Sequence, residues 1–285
     1  MNRDNKRSKY SGWITMRESE FSMFRKLIYK ESGINLELRK KRMLESRLQK
    51  TLKQNGFGSF HDYFDFVIND RTGRALADLA NHVSTNLTFF LREKTHYDFF
   101  VEKSLPELIR KKKEAKDNDI RLWSAGCSTA EEPYTIIMLM KDLMRSNYKK
   151  FDSGILATDI STSALTKAKN GVYHHDKIKD LPQALLKKYF KKISVNEWKV
   201  SEEIMSEVTF RRFNLMTEVF PFKKPFDIIF CRNVMIYFDP PTKEKLVRKF
   251  YENLAEGGYL FIGHSESLKN IDTPLKYIIP AVYQK

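Results

Sequence analysis

The segment Ser124-Ala125-Gly126-Cys127-Ser128-Thr129-Ala130-Glu131-Glu132-Pro133-Tyr134 joins a tight-turning glycine to two acids at the opening of a helical stretch. Gly126 lets the backbone come close to a ligand. A pyrophosphate site wants G-x-G-x-x-G and no acid at the helix N-terminus, where anions are stabilised. This loop has one glycine and sets Glu131 and Glu132 where a phosphate would be repelled. NAD and ATP are thereby disfavoured. A cationic nucleoside without phosphate, such as S-adenosyl-L-methionine with its ammonium and sulfonium, suits the same charges. Asp159 follows Gly126 at the span of one helix and one strand, as a βαβ unit requires. An acid at that strand end accepts hydrogen bonds from both ribose hydroxyls of a nucleoside. Its alternative duty is to cap the following helix, though Ser161 and Thr162 are placed for that.

Two further patterns carry less. Asp239-Pro240-Pro241 resembles the Asp/Asn-Pro-Pro-aromatic loop of amino methyltransferases, but Thr242 stands where the aromatic belongs, and the prolines suit the opening of a helix. His174-His175 is an adjacent pair whose side chains point apart, with no Cys/His set nearby to complete a metal site, so no metal is expected. Cys127 and Cys231 are the only cysteines, too few for a disulfide framework or a four-cysteine zinc site.

The elements that must position these residues follow from periodicity. Residues 15 to about 92 are helical almost throughout, with Phe21, Phe24, Leu27, Ile28, then Tyr63, Phe64, Phe66, Val67, then Leu76, Leu79, Ala80, Val83 as apolar faces. Phe99 to Lys116 continues as helix. Beyond residue 118 strands and helices alternate: strands at 120–124, 154–158, 226–231 and 258–262, helices at 131–144, 161–169 and 242–254. That alternation argues an α/β, doubly wound, Rossmann-like domain. Trp198-Lys199-Val200 and Glu207-Val208-Thr209-Phe210 read as strands of a small antiparallel β-subdomain inserted at 193–213. The expected organisation is a flexible basic tail at 1–14, a helical N-terminal domain at 15–84, an interdomain linker and helix at 85–117, and the α/β domain at 118–285.

Charge is uneven along the chain. Residues 1–60 carry 15 Lys and Arg against 6 Asp and Glu, a net +9 of the +15 total, so everything after them carries only +6. Leu38 to Gln54 reads as a helix stopped by Asn55-Gly56. Leu44, Leu48 and Leu52 share one arc; Arg39, Arg42, Lys50 and Lys53 share the opposite one, with Arg47 and Lys40 at its margin. The ordinary account is a solvated face, and a single-sign face also attracts an acidic partner, either nucleic acid or an acidic protein helix. No run of 18 apolar residues spans a membrane, and the charged start is no secretory signal, so a soluble, cytoplasmic protein without direct membrane insertion is expected.

Four motifs in order resemble the CheR family, the chemotaxis receptor glutamate O-methyltransferases. They are Thr85-Asn86-Leu87-Thr88-Phe89-Phe90-Leu91-Arg92-Glu93, Ser128-Thr129-Ala130-Glu131-Glu132-Pro133-Tyr134, Phe230-Cys231-Arg232-Asn233-Val234-Met235-Ile236-Tyr237-Phe238 and Gly263-His264-Ser265-Glu266-Ser267. The resemblance implies an all-helical N-terminal domain, a class I methyltransferase domain carrying the small antiparallel β-subdomain, and S-adenosyl-L-methionine as cofactor with S-adenosyl-L-homocysteine as product. It implies that Asn86, Thr88 and Arg92 close over the cofactor and that Glu132 takes its ammonium. Asp159 would take the ribose, Asn214-Leu215 the adenine surroundings, and Arg232-Asn233 line the pocket beside Tyr237. The implied partner is the acidic methylation region of receptors in membrane arrays, docked by the Arg39/Arg42/Arg47/Lys50/Lys53 face. Two departures stand out. Ala130 occupies a position where the family often has glycine, and the β-subdomain reads about three residues shorter than in relatives that grip a receptor-tail pentapeptide. The second disfavours pentapeptide binding.

The implied chemistry is an in-line displacement on a carboxylate already ionised at neutral pH, so no general base is required. Alignment and exclusion of water are the protein's part. Arg92 is the candidate for holding one acceptor oxygen, since gripping both would dull the nucleophile. Tyr237 is the candidate for positioning the carboxylate or meeting the methyl. Nucleic acid as acceptor is disfavoured by the missing Asp/Asn-Pro-Pro-aromatic loop and the missing Pro-Cys pair of cytosine-C5 enzymes.

Overall fold

The computed structural model describes residues 12–84 and 86–285, and the chain divides into two compact units, Met1–Thr85 and Asn86–Lys285. The first unit holds α1 (Glu18–Ser32), α2 (Lys41–Asn55), α3 (Phe60–Asn69) and α4 (Arg74–Val83). Several boundaries have a local cause. The Glu20 carboxylate accepts the Arg17 N–H at 2.7 Å, Ser59 caps α3 by accepting the Asp62 N–H, and left-handed Gly33 and Gly56 end α1 and α2. Leu38–Lys40, expected as the first turn of α2, is wound more tightly as a 3₁₀ turn. Leu44, Leu48 and Leu52 are fully buried against Phe21, Phe24, Ile28, Phe60, Tyr63 and Leu79. Residues 1–11 of the expected flexible tail lie outside the described residues. Its last residues are held: the Trp13 indole donates to Glu45 at 2.5 Å, and Gln49 bonds both the N–H and the carbonyl of Ile14.

The second unit opens with a continuous helical stretch. α5 (Lys94–Phe99) passes through a π turn at Phe100–Ser104 into α6 (Leu105–Glu114). Then follow β1 (Asp119–Ala125), α7 (Glu131–Met144), β2 (Asp152–Asp159), α8 (Thr162–Asn170), β3 (Val172–His174), α9 (His175–Ile178), α10 (Gln183–Tyr189), β4 (Phe190–Lys192), β5 (Glu197–Val200), α11 (Glu202–Met205), β6 (Val208–Arg212), β7 (Phe226–Cys231), α12 (Pro240–Glu252), β8 (Leu254–Ile262), β9 (Lys276–Ile279) and β10 (Val282–Gln284). The main sheet runs β6-β2-β1-β7-β8-β10-β9. Its first five strands are parallel, while β10 and β9 add antiparallel at one edge. The chain winds outward from β1 through β2 to β6 and then returns to β7 on β1's other side, so the crevice lies at the carboxyl ends of β1, β2 and β7. Every residue of β7 is buried, including Asp227, whose carboxylate accepts the Arg121 N–H at 2.8 Å and pairs with Lys112 at 3.1 Å. Pro240 and Pro241 do open α12, whose N-cap Asp239 accepts the Thr242 N–H.

The antiparallel insert falls elsewhere than 193–213. The small sheet is β3-β5-β4, spanning residues 172–200, whereas residues 208–212 form β6 and pair parallel with β2. An edge strand of a covered sheet alternates buried and exposed, as Val208, Thr209, Phe210 and Arg211 do, so its pattern imitates a half-exposed antiparallel strand. β3 and β4 have three residues each, too few to show a period. Among the described residues no helix is long and apolar enough to cross a membrane.

Candidate active site

The turn after β1 is built from alternating left-handed residues: Gly126 at φ 84°, Ser128 at 49° and Ala130 at 74°. A Cβ at residue 126 would strike the Val234 side chain, so only glycine fits. The amides of Gly126 and Cys127 both donate to the Thr158 carbonyl, at 2.7 and 2.9 Å, tying the turn to the end of β2. Asp159 completes the tie: its carboxylate accepts the Ser128 N–H and the Ser161 N–H, each at 2.8 Å. Capping of α8 falls to Ser161, which accepts the Ala164 N–H. Burial pushes the Asp159 carboxyl up while these backbone donors favour its charged form. The Phe213 N–H donates to the Asp159 carbonyl, bringing Asn214 and Leu215 beside the same strand end. Asn214 holds its own turn through the Met216 N–H, and Leu215 is buried.

Both acids at the start of α7 are present and differ in use. Glu131 is buried, bonded by the Thr129 hydroxyl at 2.6 Å, and pushed up by burial, with its other carboxylate oxygen 3.7 Å from Lys177 Nζ. Glu132 accepts the Ser124 hydroxyl at 2.7 Å and the Arg232 guanidinium at 2.9 Å. Arg232, only 2% exposed in its side chain, also donates to the Tyr97 hydroxyl at 2.9 Å, to Glu93 at 3.2 Å and to the Arg92 carbonyl. Two carboxylates thus flank one guanidinium, leaving the cluster net negative. Burial alone would raise Glu93; Arg232 and the Asn233 amide, which donates to it at 3.1 Å, outweigh that and hold it below the ordinary range.

Asn233 is itself left-handed, at φ 59°. Its N–H, with those of Ile236 and Gly263, is gathered by Glu266 at 3.0, 3.0 and 2.5 Å. Glu266 therefore locks the turn after β7 to the turn after β8, and Tyr237 sits half-buried at the end of the 3₁₀ turn Met235–Tyr237 that this lock supports. Asn86 lies 3.4 Å from the Ser128 hydroxyl, and the Thr88 carbonyl accepts Lys177 Nζ at 2.7 Å. The Arg92 side chain turns back onto its own segment, donating to the Leu87 carbonyl at 2.8 Å and lying over the Phe89 ring. Left-handed Leu91 and Glu93 bracket it, which aims the Arg92 carbonyl at Arg232.

Asp159, Gly126, Asn86, Asn214, Leu215, Glu132, Arg232 and Asn233 thus stand around the crevice, while the Arg92 guanidinium points into its own loop. Sequence reasoning assigned no role to Glu93, Tyr97 or Glu266. Glu93 and Glu266 stood inside quoted motifs, but only folding shows which arginine and which amides they meet. The two cysteines are buried and their thiols pushed far up by burial, so neither is a thiolate nucleophile. In the first unit, Arg39, Arg42 and Lys50 are exposed, whereas Arg47 donates to the carbonyls of His82, Val83 and Ser84 at 3.0 to 3.2 Å. Its guanidinium thus caps the C-terminus of α4.

Two family models match this chain: the CheR methyltransferase SAM binding domain over residues 86–281 and the CheR methyltransferase all-alpha domain over residues 19–84. A chemotaxis protein methyltransferase of Borreliella burgdorferi is 44% identical over 278 residues, covering 98% of each chain. A chemotaxis protein methyltransferase of Escherichia coli is 32% identical over 262 residues, covering 91% of this chain and 88% of that one.

Proposed function

The chain belongs to the CheR methyltransferase family, and from that premise we propose that it methylates glutamate side chains on the cytoplasmic helices of chemotaxis receptors, for sensory adaptation. The donor in this reading is S-adenosyl-L-methionine, and the products are glutamyl methyl esters and S-adenosyl-L-homocysteine. The observation that carries it is the acid-walled turn: left-handed Gly126, packed against Val234, sets the turn, Asp159 and Glu132 flank it, and the sequence lacks the G-x-G-x-x-G pattern of a phosphate site. A phosphorylated cofactor would meet Glu131 and Glu132 at the helix end that should stabilise it. A cationic one meets matching charge.

When bound, the cofactor supplies an electrophilic methyl group on a sulfonium. Asp159 offers its remaining lone pairs to the ribose hydroxyls, and Asn214 and Leu215 border the adenine. Glu132 and the carboxylate-flanked Arg232 hold the amino-acid end, because the guanidinium takes a carboxylate while Glu132 takes the ammonium. Asn86 and Thr88 close the cofactor side. For the acceptor, Arg92 leaves the Leu87 carbonyl and takes one carboxylate oxygen, and Tyr237 aligns the other toward the methyl carbon. The acceptor oxygen is already ionised, so these residues position and no base moves a proton.

The exposed Arg39, Arg42 and Lys50, with Lys53 beside them, steer an acidic receptor helix onto the first unit. Recruitment to membrane arrays follows from the receptor and needs no insertion. Neither nucleic acid nor the receptor-tail pentapeptide belongs to this reading. The test is transfer of a labelled methyl group from S-adenosyl-L-methionine to a receptor cytoplasmic fragment, with RNA and DNA in parallel. Base-labile label on the receptor is expected; base-stable label, or label on nucleic acid alone, refutes the assignment.

A further inference from the structure

Behind Glu93 the fold brings together three side chains from two distant stretches of the sequence: Glu93 and His96 from one, His264 from the other. Their ligating atoms all lie within 4.8 Å of one another. His96 is completely buried, with the Pro280 carbonyl as its one backbone partner and no side-chain hydrogen bond to either ring nitrogen. One carbonyl leaves the second ring nitrogen, a lone pair in the neutral tautomer, unmet, which is costly unless something completes it. Its Nδ1 stands 3.4 Å from Glu93 Oε2, and its ring lies 4.4 Å from that of His264, centroid to centroid.

We propose that Glu93, His96 and His264 form a binding site for a borderline divalent metal ion of the Zn²⁺ class. Two donors on one tetrahedral Zn²⁺, each about 2.0–2.1 Å from it, are roughly 3.4 Å apart. Glu93 and His96 are already at that separation. His264 must close by up to about 1.4 Å, and it is an exposed side chain held by the Thr95 hydroxyl at 3.1 Å from Nε2 and by its edge contact with the His96 ring. Two imidazoles and a carboxylate are a ligand set for Zn²⁺ and its neighbours, and a poor one for Mg²⁺ or Ca²⁺. The exposed side supplies the open fourth position for water. Arg232 is the competing cation, but it keeps Glu132 and the Tyr97 hydroxyl, both at 2.9 Å, when Glu93 turns to the metal. The site does not depend on which acceptor is methylated.

Full-length protein stripped with a chelator and titrated with Co²⁺, then Zn²⁺, tests this without any activity assay. One Co²⁺ per chain with visible tetrahedral absorption, displaced by Zn²⁺, is expected. His264→Ala, a surface change that leaves folding intact, should weaken binding at least about 10-fold. The double variant His174→Ala/His175→Ala, which removes an exposed pair elsewhere, should bind as wild type. Absence of saturable binding at one ion per chain, unchanged affinity in His264→Ala, or loss of binding in the double variant would each overturn the site.

Discussion

At the residue scale, Asp159 does two things that a single substitution exposes together. Its carboxylate accepts two backbone N–H groups that shape the turn, and the same group is the one assigned to the ribose. Asp159→Ala should therefore weaken S-adenosyl-L-methionine binding by calorimetry and also lower stability by about 1–3 kcal/mol, the cost of buried donors left unmet. Wild-type cofactor affinity in that variant would remove the ribose assignment. Arg92→Ala is the contrast: its guanidinium bonds the Leu87 carbonyl and lies over Phe89 of its own loop, so turnover on receptor fragments should fall more than cofactor affinity. A pH prediction comes from His96 in the metal-stripped protein, whose ring burial, abetted by Arg232 and His264, pushes down to about 3. Between that value and the ordinary one near 6.5, the unfolded chain takes up a proton that the folded chain refuses, so acid destabilises. From pH 7 to pH 5 this one group accounts for about 2 kcal/mol of lost stability. The same loss should be absent from His96→Gln, as read by urea unfolding of both proteins, chelator present, at both pH values. An equal acid loss in the two proteins would show that this imidazole does not drive it.

Elements decide how much of this was legible beforehand. β1, β2, β7, β8, α7 and α8 announced themselves because their apolar runs are long enough to show a period, and Gly126 and Asp159 stand at their ends. β3, β4 and the parallel placement of β6 did not, since three-residue strands have no period and an edge strand mimics an antiparallel one. Arg47 shows the same limit. Helical arithmetic puts it near the basic arc but says nothing about α4, whose last carbonyls it caps. Arg47→Ala should consequently destabilise the protein by about 2 kcal/mol in thermal or urea unfolding, the worth of charged hydrogen bonds to a helix end. Lys50→Ala, exposed on the same helix, should change stability by less than about 0.5 kcal/mol. The turn after β1 gives a sharper case. Gly126→Ala meets both a clash with Val234 and a left-handed backbone. Pairing it with Val234→Ala should restore the steric part of the loss and leave about 1–2 kcal/mol of backbone cost. Full recovery in the double variant would mean that the left-handed backbone at this position is not a constraint.

For the whole molecule, the telling feature is that charge and chemistry reside in different units. The net +9 of residues 1–60 stands apart from the crevice residues, all of which lie in Asn86–Lys285. Arg39 is held by Glu37 at 2.5 Å, which mutes its reach, while Arg42 and Lys50 are exposed with no ion pair among the described residues. If those cations steer an acidic receptor helix, their effect belongs to encounter and must decline as salt shortens the Debye length from about 10 Å at 0.1 M to about 3 Å at 1 M. It must also leave the cofactor site untouched. The variant Arg42→Glu/Lys50→Glu should lower kcat/KM for a receptor fragment about 10-fold at low salt and converge on wild type near 1 M, with unchanged S-adenosyl-L-methionine affinity by calorimetry. Arg47 is kept out of this variant because its loss would unsettle α4 and confound rate with folding. A deficit that persists at high salt would place those side chains in a short-range role, and a variant as fast as wild type at every ionic strength would leave the basic face an ordinary solvated surface.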